Sequence, residues 1–410
     1  MEFRKVKLGD FCEVRSSKRI YAKEYKNFGI PFYRSKEIIQ KAKNSPVTTS
    51  LFISKERFEE IKSKFGIPLQ GDILLTSVGT LGVPYLVQDE EFYFKDGNLT
   101  WFTNFSSELN NEFLYYWFSS ESGKSEIDRI TIGSTQKALT IVNLNSLKIK
   151  LPPLSIQKKI VSVLKSIDEK FKCNLEQIKI LENLSQTLFK HWFIDFEFPN
   201  EQGQPYKSSG GEMVESELGE IPKGFKIAKL KDIYVNYDSK RKPLSKMERS
   251  KREKIYPYYG AASLMDYVDD YLFDGTYLLL GEDGTVVTKE GYPVLQYVNG
   301  KFWVNNHAHV MKGKESFSTE YLYLLLSQTN ISNIITGAVQ PKISQKNLNN
   351  ISTLLPNIEI LNSFEQLINP IFNQRLILQK ENQKLIQLRD TLLPKLLSGE
   401  IEIPDELEVN

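Results

Sequence analysis

The chain has 410 residues, of which 40% are hydrophobic and 12% aromatic, so it can bury more than one core. No stretch approaches the roughly 18 uninterrupted apolar residues that a membrane helix requires, and the N-terminal residues lack an apolar signal core. Two cysteines are too few for a disulfide framework or a thiolate metal site. We therefore expect a cytoplasmic protein with reduced cysteines and no membrane association.

The net charge of +2 hides local basic patches. Residues 1–50 carry 12 Lys or Arg against 5 Asp or Glu, and residues 239–254 carry 8 against 2. Patches of this kind favour binding to a polyanion, although the whole chain is nearly neutral.

Residues 1–150 mix short apolar runs with glycine and turn residues, which predicts the first of two α+β globular domains. Gly71–Thr76 is predicted to form a short buried strand, and Asn111–Ser119 a helix. The basic pair Lys18 and Arg19, like Lys240, Arg241 and Lys242 in the second domain, could neutralise phosphates or simply be solvated.

Residues 151–196 change to a helical period. Apolar residues at alternating three and four spacings predict a coiled-coil seam: Ile160, Leu164, Ile167, Phe171, Ile178, Leu181, Leu188 and Trp192. A helix from Ser155 to Trp192 would be about 55 Å long. Asn174 and Ser185 interrupt the seam, and such polar residues can select one register and partner. The alternative is that the helix packs only against its own domain.

Residues 197–224 have the composition of a connector, and residues 225–354 are predicted to form a second α+β domain. Within it, Gly275–Leu280 is a predicted strand and Thr319–Ser327 a predicted helix. The polar loop that begins at Glu282 follows this strand, as the loop from Thr76 follows the strand of the first domain.

The second domain repeats the first. Gly133 recurs as Gly337, 204 residues later, and the basic pair at Arg19 recurs at Arg241, 222 residues later. The first copy therefore carries 18 more residues between these landmarks, a length difference that surface loops tolerate.

Residues 355–400 are predicted to form a second long helix, followed by a tail at 401–410. Its apolar seam lies 204 residues after the first and comprises Phe364, Ile368, Ile371, Leu378, Leu385 and Leu392. Arg375, Asn382 and Arg389 interrupt it. Asn369–Phe372 has the sequence Asn-Pro-Ile-Phe, which we interpret as a helix start.

Several motifs leave two interpretations open. Gln136 and Gln340 each follow a glycine, and their amides could bond to adenine or hold the turn before a long helix. Because both copies share the residue while the two domains should read different bases, a structural or backbone-contact role is preferred. His307 and His309 alternate on a predicted strand and would face one side, but no third ligand accompanies them, so packing or DNA contact is preferred over metal binding. The sequence contains no glycine-rich cofactor loop and no Walker A motif.

The order domain, long helix, domain, long helix resembles the specificity subunits of type I restriction-modification enzymes over essentially the whole chain. The most family-like segments are 258–261, 266–268, 273–275, 281–284, 305–309 and 337–342, together with Leu-Pro-Pro-Leu-Ser-Ile-Gln-Lys-Lys-Ile at 151–160 and Leu-Leu-Pro-Lys-Leu-Leu-Ser-Gly-Glu-Ile at 392–401. The first domain fits this pattern less closely, since it has Lys95-Asp96-Gly97 where the second has Asn305-Asn306-His307.

The resemblance implies two similar target-recognition domains separated by an antiparallel pair of long coiled-coil helices, with a pseudo-two-fold internal repeat. It implies a non-catalytic subunit in which each domain reads half of a bipartite, asymmetric site in double-stranded DNA. The helices would set the spacing and dock methyltransferase subunits, and restriction and translocase subunits would join through the complex. S-adenosylmethionine, ATP and Mg²⁺ would be bound by those partners, with no cofactor in this chain.

Repeated loops and this resemblance together define the predicted site. The predicted DNA-binding residues are Lys18, Arg19, Thr76, Ser77, Thr80, Gln136, Lys137, Lys240, Arg241, Lys242, Glu282, Asp283, Thr285, Asn306, His307, Gln340 and Lys342. No catalytic or metal-binding residue is predicted. The competing hypotheses are a self-sufficient DNA-modifying or DNA-cleaving enzyme with an unrecognised site, and a purely structural coiled-coil scaffold.

Overall fold

A computed structural model describes residues 3–43, 45–133, 137–337 and 340–404. The chain divides into two compact units. Unit 1 comprises residues 1–172 and 382–410, and unit 2 comprises residues 173–381. No helix in the described ranges is long and apolar enough to cross a membrane.

Unit 1 is an α+β domain joined to parts of two long helices. Its strands are β1 (Arg4–Lys7), β2 (Glu13–Arg15), β3 (Ile30–Tyr33), β4 (Phe52–Ile53), β5 (Ile73–Thr76), β6 (Pro84–Leu86), β7 (Tyr93–Phe94), β8 (Leu99–Thr103) and β9 (Lys148–Leu151). Its helices are α1 (Ser35–Ala42), α2 (Lys55–Phe65), α3 (Asn111–Ser119), α4 (Glu121–Ile130), α5 (Ile141–Asn145) and the start of α6 (Leu154–Phe193). The main sheet has the order β2-β8-β5-β6, and β4-β3-β7 forms a second sheet.

Unit 2 repeats this plan with longer strands. Its strands are β10 (Met213–Val214), β11 (Ile221–Pro222), β12 (Lys226–Lys229), β13 (Tyr234–Asn236), β14 (Tyr256–Tyr259), β15 (Leu264–Val268), β16 (Phe273–Gly281), β17 (Leu295–Val304), β18 (Ala308–Gly313) and β19 (Ser352–Leu355). Its helices are α7 (Lys246–Ser250), α8 (Thr319–Ser327), α9 (Gln345–Asn349) and the start of α10 (Ile358–Ser398). Six strands form one sheet in the order β13-β18-β16-β17-β14-β15.

Strand register makes the internal repeat explicit. In unit 1, Phe102 of β8 lies opposite Val14 on one side and Ile73 on the other. In unit 2, Met311 of β18 lies opposite Asn236 and Leu278 in the same way. The strands β2, β5 and β8 therefore correspond to β13, β16 and β18, which assigns structurally equivalent residues in the two domains.

The long helices pair antiparallel, as two contacts within unit 2 show. Glu182 of α6 is ion-paired with Arg375 of α10, and nearer the end of α6 the aromatic ring of Phe193 packs on Phe364, with ring centroids 4.8 Å apart. From the first contact to the second, the residue number rises along α6 and falls along α10, so the two helices run in opposite directions. The prediction of an antiparallel coiled-coil pair is confirmed.

The polar residues predicted in the seam are largely buried. Asn174 and Ser185 are fully buried, and Arg375 and Asn382 are less than 9% exposed. The hydroxyl of Ser185 donates to the carbonyl of Leu181, 2.7 Å away, which satisfies it within its own helix.

The interpretation of Asn369–Phe372 as a helix start is wrong, because α10 begins at Ile358 and continues through Pro370. A proline inside a helix removes one backbone hydrogen bond. Burial of Ile368 and Phe372 on either side, both at most 1% exposed, stabilises the helix across this position.

The segment between the two repeats is a packed part of unit 2. Phe196, Phe198, Ile221 and Phe225 are all less than 9% exposed and belong to the unit 2 core. The ring of Phe198 stacks on that of Phe225, with centroids 5.4 Å apart.

Candidate functional site

Four segments of unit 2 that are far apart in sequence meet at one end of the main sheet. They are residues 238–242 after β13, 282–285 after β16, 305–307 before β18, and 340–343. The amide of Glu282 donates to the carbonyl of His307 at 2.8 Å, and the amide of Ile343 donates to the carbonyl of Glu282 at 2.8 Å. We call this set of four segments the unit 2 loop cluster.

Charged side chains lie beneath these loops. The guanidinium of Arg241 donates to Glu282 at 2.7 Å and to the carbonyl of Ala308 at 2.6 Å, and it lies 3.5 Å from Asp238. The ammonium of Lys342 is 3.3 Å from the other oxygen of Glu282. Because the side chains of Arg241 and Glu282 are only 13% and 15% exposed, water screens this pair weakly.

His309 lies at the centre of the network and is 1% exposed. Its Nδ1 is 2.6 Å from an oxygen of Asp238, and its Nε2 is 2.9 Å from the carbonyl oxygen of Ile343. Burial by itself lowers the pKa of His309, but the hydrogen bond and charge of Asp238, with smaller contributions from Ile343 and Glu282, raise this pKa above its ordinary value.

Asp238 shifts in the opposite direction. Burial by itself raises the pKa of Asp238, but the hydrogen bond and charge of His309 and the amide of Val310 hold that pKa below its usual range. The backbone amide of Val310 donates to the second oxygen of this carboxylate at 2.8 Å. The structure thus stabilises a carboxylate beside an imidazolium.

Asp238, Glu282 and His309 also bring one ligand atom each to within 4.8 Å of one another, a spacing that a metal ion could bridge. Arg241 contacts both carboxylates, and both nitrogens of His309 already face hydrogen-bond acceptors. The charges of the cluster are therefore balanced internally, which favours an ion-pair network over a cation site.

Most of the predicted residues of the second domain lie on the outer side of this cluster. The exposed ones are Lys240, Lys242, Thr285, Asn306, His307, Gln340 and Lys342. Asp283 is half-buried and bonds to Nδ1 of His307.

Two predictions for this domain need correction. Arg241, expected to neutralise phosphate, has its guanidinium turned into the protein by the contacts with Glu282 and Ala308, so it supports the loops. His307 and His309 do not face one side, because His307 lies in a turn before β18 and is 47% exposed, whereas His309 is buried in the strand.

Unit 1 builds the same backbone framework. The amide of Ser77 donates to the carbonyl of Asn98 at 2.8 Å, and the amide of Leu139 donates to the carbonyl of Ser77 at 3.0 Å. Gly79 and Gly284 occupy equivalent turns, both with a φ of 81° that favours glycine. The same loop cluster therefore forms from residues 16–19, 77–80, 95–98 and 137–139.

The side chains inside this framework differ between the two domains. Strand register places Thr100 where unit 2 has His309, and Ser77 where it has Glu282. The hydroxyls of Ser77 and Thr100 hydrogen-bond to each other at 2.7 Å. By the same comparison Ser16 replaces Asp238, and Ala138 replaces Lys342.

Predicted residues of the first domain are divided between surface and interior. Lys18, Arg19, Thr80 and Lys137 are exposed, and Arg19 is paired with Asp96 at 2.7 Å. Thr76 and Ser77 are at most 3% exposed, so their side chains are too buried to contact DNA in this structure. They form hydrogen bonds within the loop instead. Gln136 lies outside the described residues.

Sequence reasoning missed Asp238 and His309 as partners. The only signal was that Ser239-Lys240-Arg241 is preceded by Asp238, whereas Ser17-Lys18-Arg19 is preceded by Ser16. The pairing itself joins residues 71 positions apart in the chain, which a pattern of nearby residues does not reveal.

Comparison with known protein families shows that both halves of the chain match one family. A model of the type I restriction modification DNA specificity domain matches residues 1–186 and again residues 222–387. The chain belongs to this family. Each of the two matches contains one loop cluster, so the internal repeat of this type I specificity protein is a repeat of the family's DNA specificity domain.

Curated relatives carry the same description. The chain is 28% identical over 309 residues to the type I restriction enzyme MjaIX specificity subunit of Methanocaldococcus jannaschii, covering 72% of this chain and 70% of the relative. It is 24% identical over 377 residues to the MjaVIII specificity subunit of the same organism, covering 85% and 83%.

A solved structure supports the fold. The crystal structure of a type I restriction-modification system S subunit from M. genitalium matches with a TM-score of 0.57 over 97% of this chain and 96% of that chain, at 16% identity. At this identity the match concerns the fold alone.

Proposed function

We propose that this chain is the DNA sequence-specificity subunit of a type I restriction-modification complex, in which each recognition domain reads one half of a bipartite, asymmetric site in double-stranded DNA. The observation that carries the proposal is the repeated loop cluster with different side chains. A shared backbone framework presents loops in the same way, while Glu282 and Ser77, or Lys342 and Ala138, supply different chemistry at equivalent positions. Reading two different half-sites requires a shared framework that carries different side chains in each domain.

Exposed lysines of both domains are assigned to phosphates. Lys18, Lys240 and Lys242 follow equivalent strands, and all three residues are exposed. Contacts with phosphate orient a protein on the duplex and carry no sequence information.

Residues on the loop tips are assigned to the base edges. Asn306 carries an amide that can pair with adenine, and Lys342 can donate to guanine. His307, Thr285 and Thr80 add shorter polar groups on the same loops. Lys137 is assigned the equivalent role in the first domain, whereas Gln136 and Gln340, which both copies share, are assigned to the DNA backbone or to the turn itself.

The long helices are proposed to set the spacing between half-sites and to dock methyltransferase subunits. In unit 2, α6 exposes Leu175, Ile180 and Leu184, and α10 exposes Leu367 and Ile377, each 39 to 64% exposed. Exposed apolar side chains along a helix favour association with a partner protein. Restriction and translocase subunits would then join through the methyltransferase complex.

Catalysis is proposed to belong to those partners. S-adenosylmethionine, ATP and Mg²⁺ would be bound by the partner subunits, and the chain alone would transfer no methyl group and cut no DNA. Incubating the purified chain with DNA, S-adenosylmethionine and Mg²⁺ tests this, and robust methylation or cleavage by the contamination-free chain would support the self-sufficient enzyme instead.

The central experiment is selection from a random duplex library with the full chain assembled with methyltransferase subunits. The expected product is one bipartite motif with two unlike halves and a fixed gap. Exchanging residues 16–19, 77–80, 95–98 and 137–139 for their second-domain equivalents should change the first half and leave the second unchanged. Recovery of a single continuous motif, or of none, would contradict the proposal.

A further inference from the structure

The interiors of the two loop clusters differ in charge, although their backbones agree. Unit 2 contains Asp238, Glu282 and His309 where unit 1 contains Ser16, Ser77 and Thr100. At these three positions the second cluster therefore has ionisable groups and the first has hydroxyl groups, as the Ser77 and Thr100 contact of 2.7 Å illustrates; the ion pair of the first cluster, Arg19 with Asp96, contains no histidine.

The hydrogen bonds and charges around His309 favour one protonation state. A neutral imidazole has one N–H donor, but both nitrogens of His309 face oxygens: Asp238 at 2.6 Å and the carbonyl of Ile343 at 2.9 Å. Although burial by itself raises the pKa of Asp238, its contacts with His309 and with the amide of Val310 hold that pKa below the usual range, so the oxygen that faces Nδ1 is unprotonated at neutral pH and accepts. Only an imidazolium donates to both partners.

The two hydrogen bonds of His309 hold two loops of the cluster. Asp238 begins the segment that carries Lys240 and Lys242, and Ile343 ends the segment that carries Gln340 and Lys342. His309 itself lies in β18, directly after the turn that exposes His307. The protonated side chain therefore connects two of the four segments to the central sheet, and a third, 305–307, leads directly into the strand that carries His309.

The remaining charged and titratable groups around His309 complete the network. Glu282, from the loop after β16, is 3.8 Å from Nδ1, and Arg241 bridges this carboxylate and Asp238. Lys342 neutralises the outer oxygen of Glu282. Tyr234 of β13 stays neutral, because burial, reinforced by the charge of Asp238, raises its pKa above the usual range.

We propose that His309 is a positioning residue for reading the second half-site: its imidazolium holds the loops on either side in their reading conformation, so the second domain needs this proton and the first domain does not. The inference rests on the proposed function, since it presupposes two domains that read DNA. The inference adds to that function a residue that contacts no base. It also predicts that reading of the two half-sites responds differently to pH.

The direction of the pH effect follows from the charges. Since the pKa of His309 is higher in the folded protein than its ordinary value of about 6.5, its contribution is complete below that value and is lost as the pH rises through the folded pKa. Each further pH unit reduces the imidazolium about tenfold. Reading of the second half-site should therefore weaken on the alkaline side.

The test repeats the library selection with the full chain and methyltransferase subunits at a series of pH values from about 6 to about 9. The preference for the best second half-site over a single-base variant should fall about tenfold across the series, while the preference in the first half stays constant. The first half-site is read in the same reaction and therefore controls for effects of pH on DNA and on the complex.

Two variants separate positioning from simple packing. His309→Gln should lower discrimination in the second half about tenfold at low pH and give the same low value at every pH, equal to that of the natural chain at high pH. Asp238→Asn should instead retain reading of the second half at every pH, because its amide can donate to Nδ1 of a neutral imidazole whose Nε2–H still donates to Ile343. The matched control, Thr100→Val in the first domain, should affect only the first half and introduce no pH dependence.

The outcomes distinguish failure of the positioning role of His309 from failure of the proposed function. A second half read equally well at all pH values, or an Asp238→Asn variant with the pH profile of the natural chain, overturns the positioning role and leaves the proposed function intact. Absence of any preferred sequence in either half at every pH contradicts the proposed function itself.

Discussion

Arg19 and Arg241 occupy equivalent positions in the two repeats but have different surroundings. The side chain of Arg19 is 65% exposed and pairs with Asp96, whereas that of Arg241 is 13% exposed and contacts Glu282, Asp238 and the carbonyl of Ala308. The same sequence motif therefore places an exposed guanidinium on one domain and a largely buried guanidinium beneath the loops of the other.

This difference predicts unequal effects on stability. Arg241→Ala should reduce the free energy of unfolding of unit 2 by about 3 kcal/mol, because it leaves the carboxylate of Glu282 buried with one fewer partner. Arg19→Ala is the comparison and should cost less, because Arg19 is 65% exposed and Asp96, which is only 11% exposed, keeps the ammonium of Lys95 3.9 Å away. Urea denaturation followed by the fluorescence of the tryptophans checks both; equal losses for the two variants would show that burial does not separate the two arginines.

Lys240 and Lys242 are predicted to act through phosphate alone. Replacing both by alanine should weaken binding to all DNA sequences to a similar extent and make the salt dependence of log K shallower by about two units, one for each lost contact. Titrations at several salt concentrations measure the slope, and Lys223→Ala, at a lysine paired with Glu212 away from the loops, serves as control. A changed sequence preference with an unchanged slope would assign these lysines to base edges.

The long helices illustrate how elements select their partners. In each unit an acidic residue of α6 is paired with an arginine of α10 and also accepts from a tyrosine of the adjacent domain helix. Asp168 lies 3.5 Å from Arg389 and 2.9 Å from the hydroxyl of Tyr116 in unit 1. Glu182 contacts Arg375 and the hydroxyl of Tyr323 in unit 2. These contacts hold each domain against its helix pair.

Removing one charge of the Glu182–Arg375 ion pair should lower the free energy of unfolding, whereas removing both charges should restore most of it. Glu182→Gln keeps an acceptor for Tyr323 but leaves Arg375, 9% exposed, without its counter-charge, so we expect a loss of about 3 kcal/mol. The double variant Glu182→Leu, Arg375→Met removes both charges and should recover most of this loss, because apolar side chains suit the seam. Denaturation of the three proteins in parallel measures the difference. A double variant less stable than Glu182→Gln would show that the ion pair itself is required.

At the scale of the whole molecule, the proposed role of the helices is to determine the gap between half-sites. The helix α6 has 40 residues and α10 has 41, so each is about 60 Å long. Inserting seven residues into both helices should lengthen the gap by about 10 Å, close to three base pairs, while both half-site sequences stay the same. Methylation sites mapped genome-wide in cells that express the elongated chain with its partners measure the gap.

The control for this prediction is an insertion of equal length outside the helices. The turn at Gly203 is exposed and has nothing within 4 Å of a Cβ built there, so added residues should leave the gap unchanged. An active complex whose gap does not respond to the helix insertion would show that the helices do not set the spacing.

The sequence by itself determined the features that are periodic or repeated along the chain. The helices Asn111–Ser119 and Thr319–Ser327 were predicted with the observed bounds, and the first long helix with one residue of difference at each end. The repeat and the family resemblance follow from the same kind of information, because hydrophobic spacing and recurring motifs depend on neighbouring residues alone.

Only the tertiary structure decided what each candidate side chain does. Burial turned Thr76, Ser77 and Arg241 from predicted ligand contacts into supports of the loops. Pairing of Asp238 with His309, and of Glu282 with Arg241 and Lys342, joins segments that only the sheet register brings together. Exposure, hydrogen-bond partners and pKa depend on atoms contributed by distant parts of the chain, so no local pattern contains them.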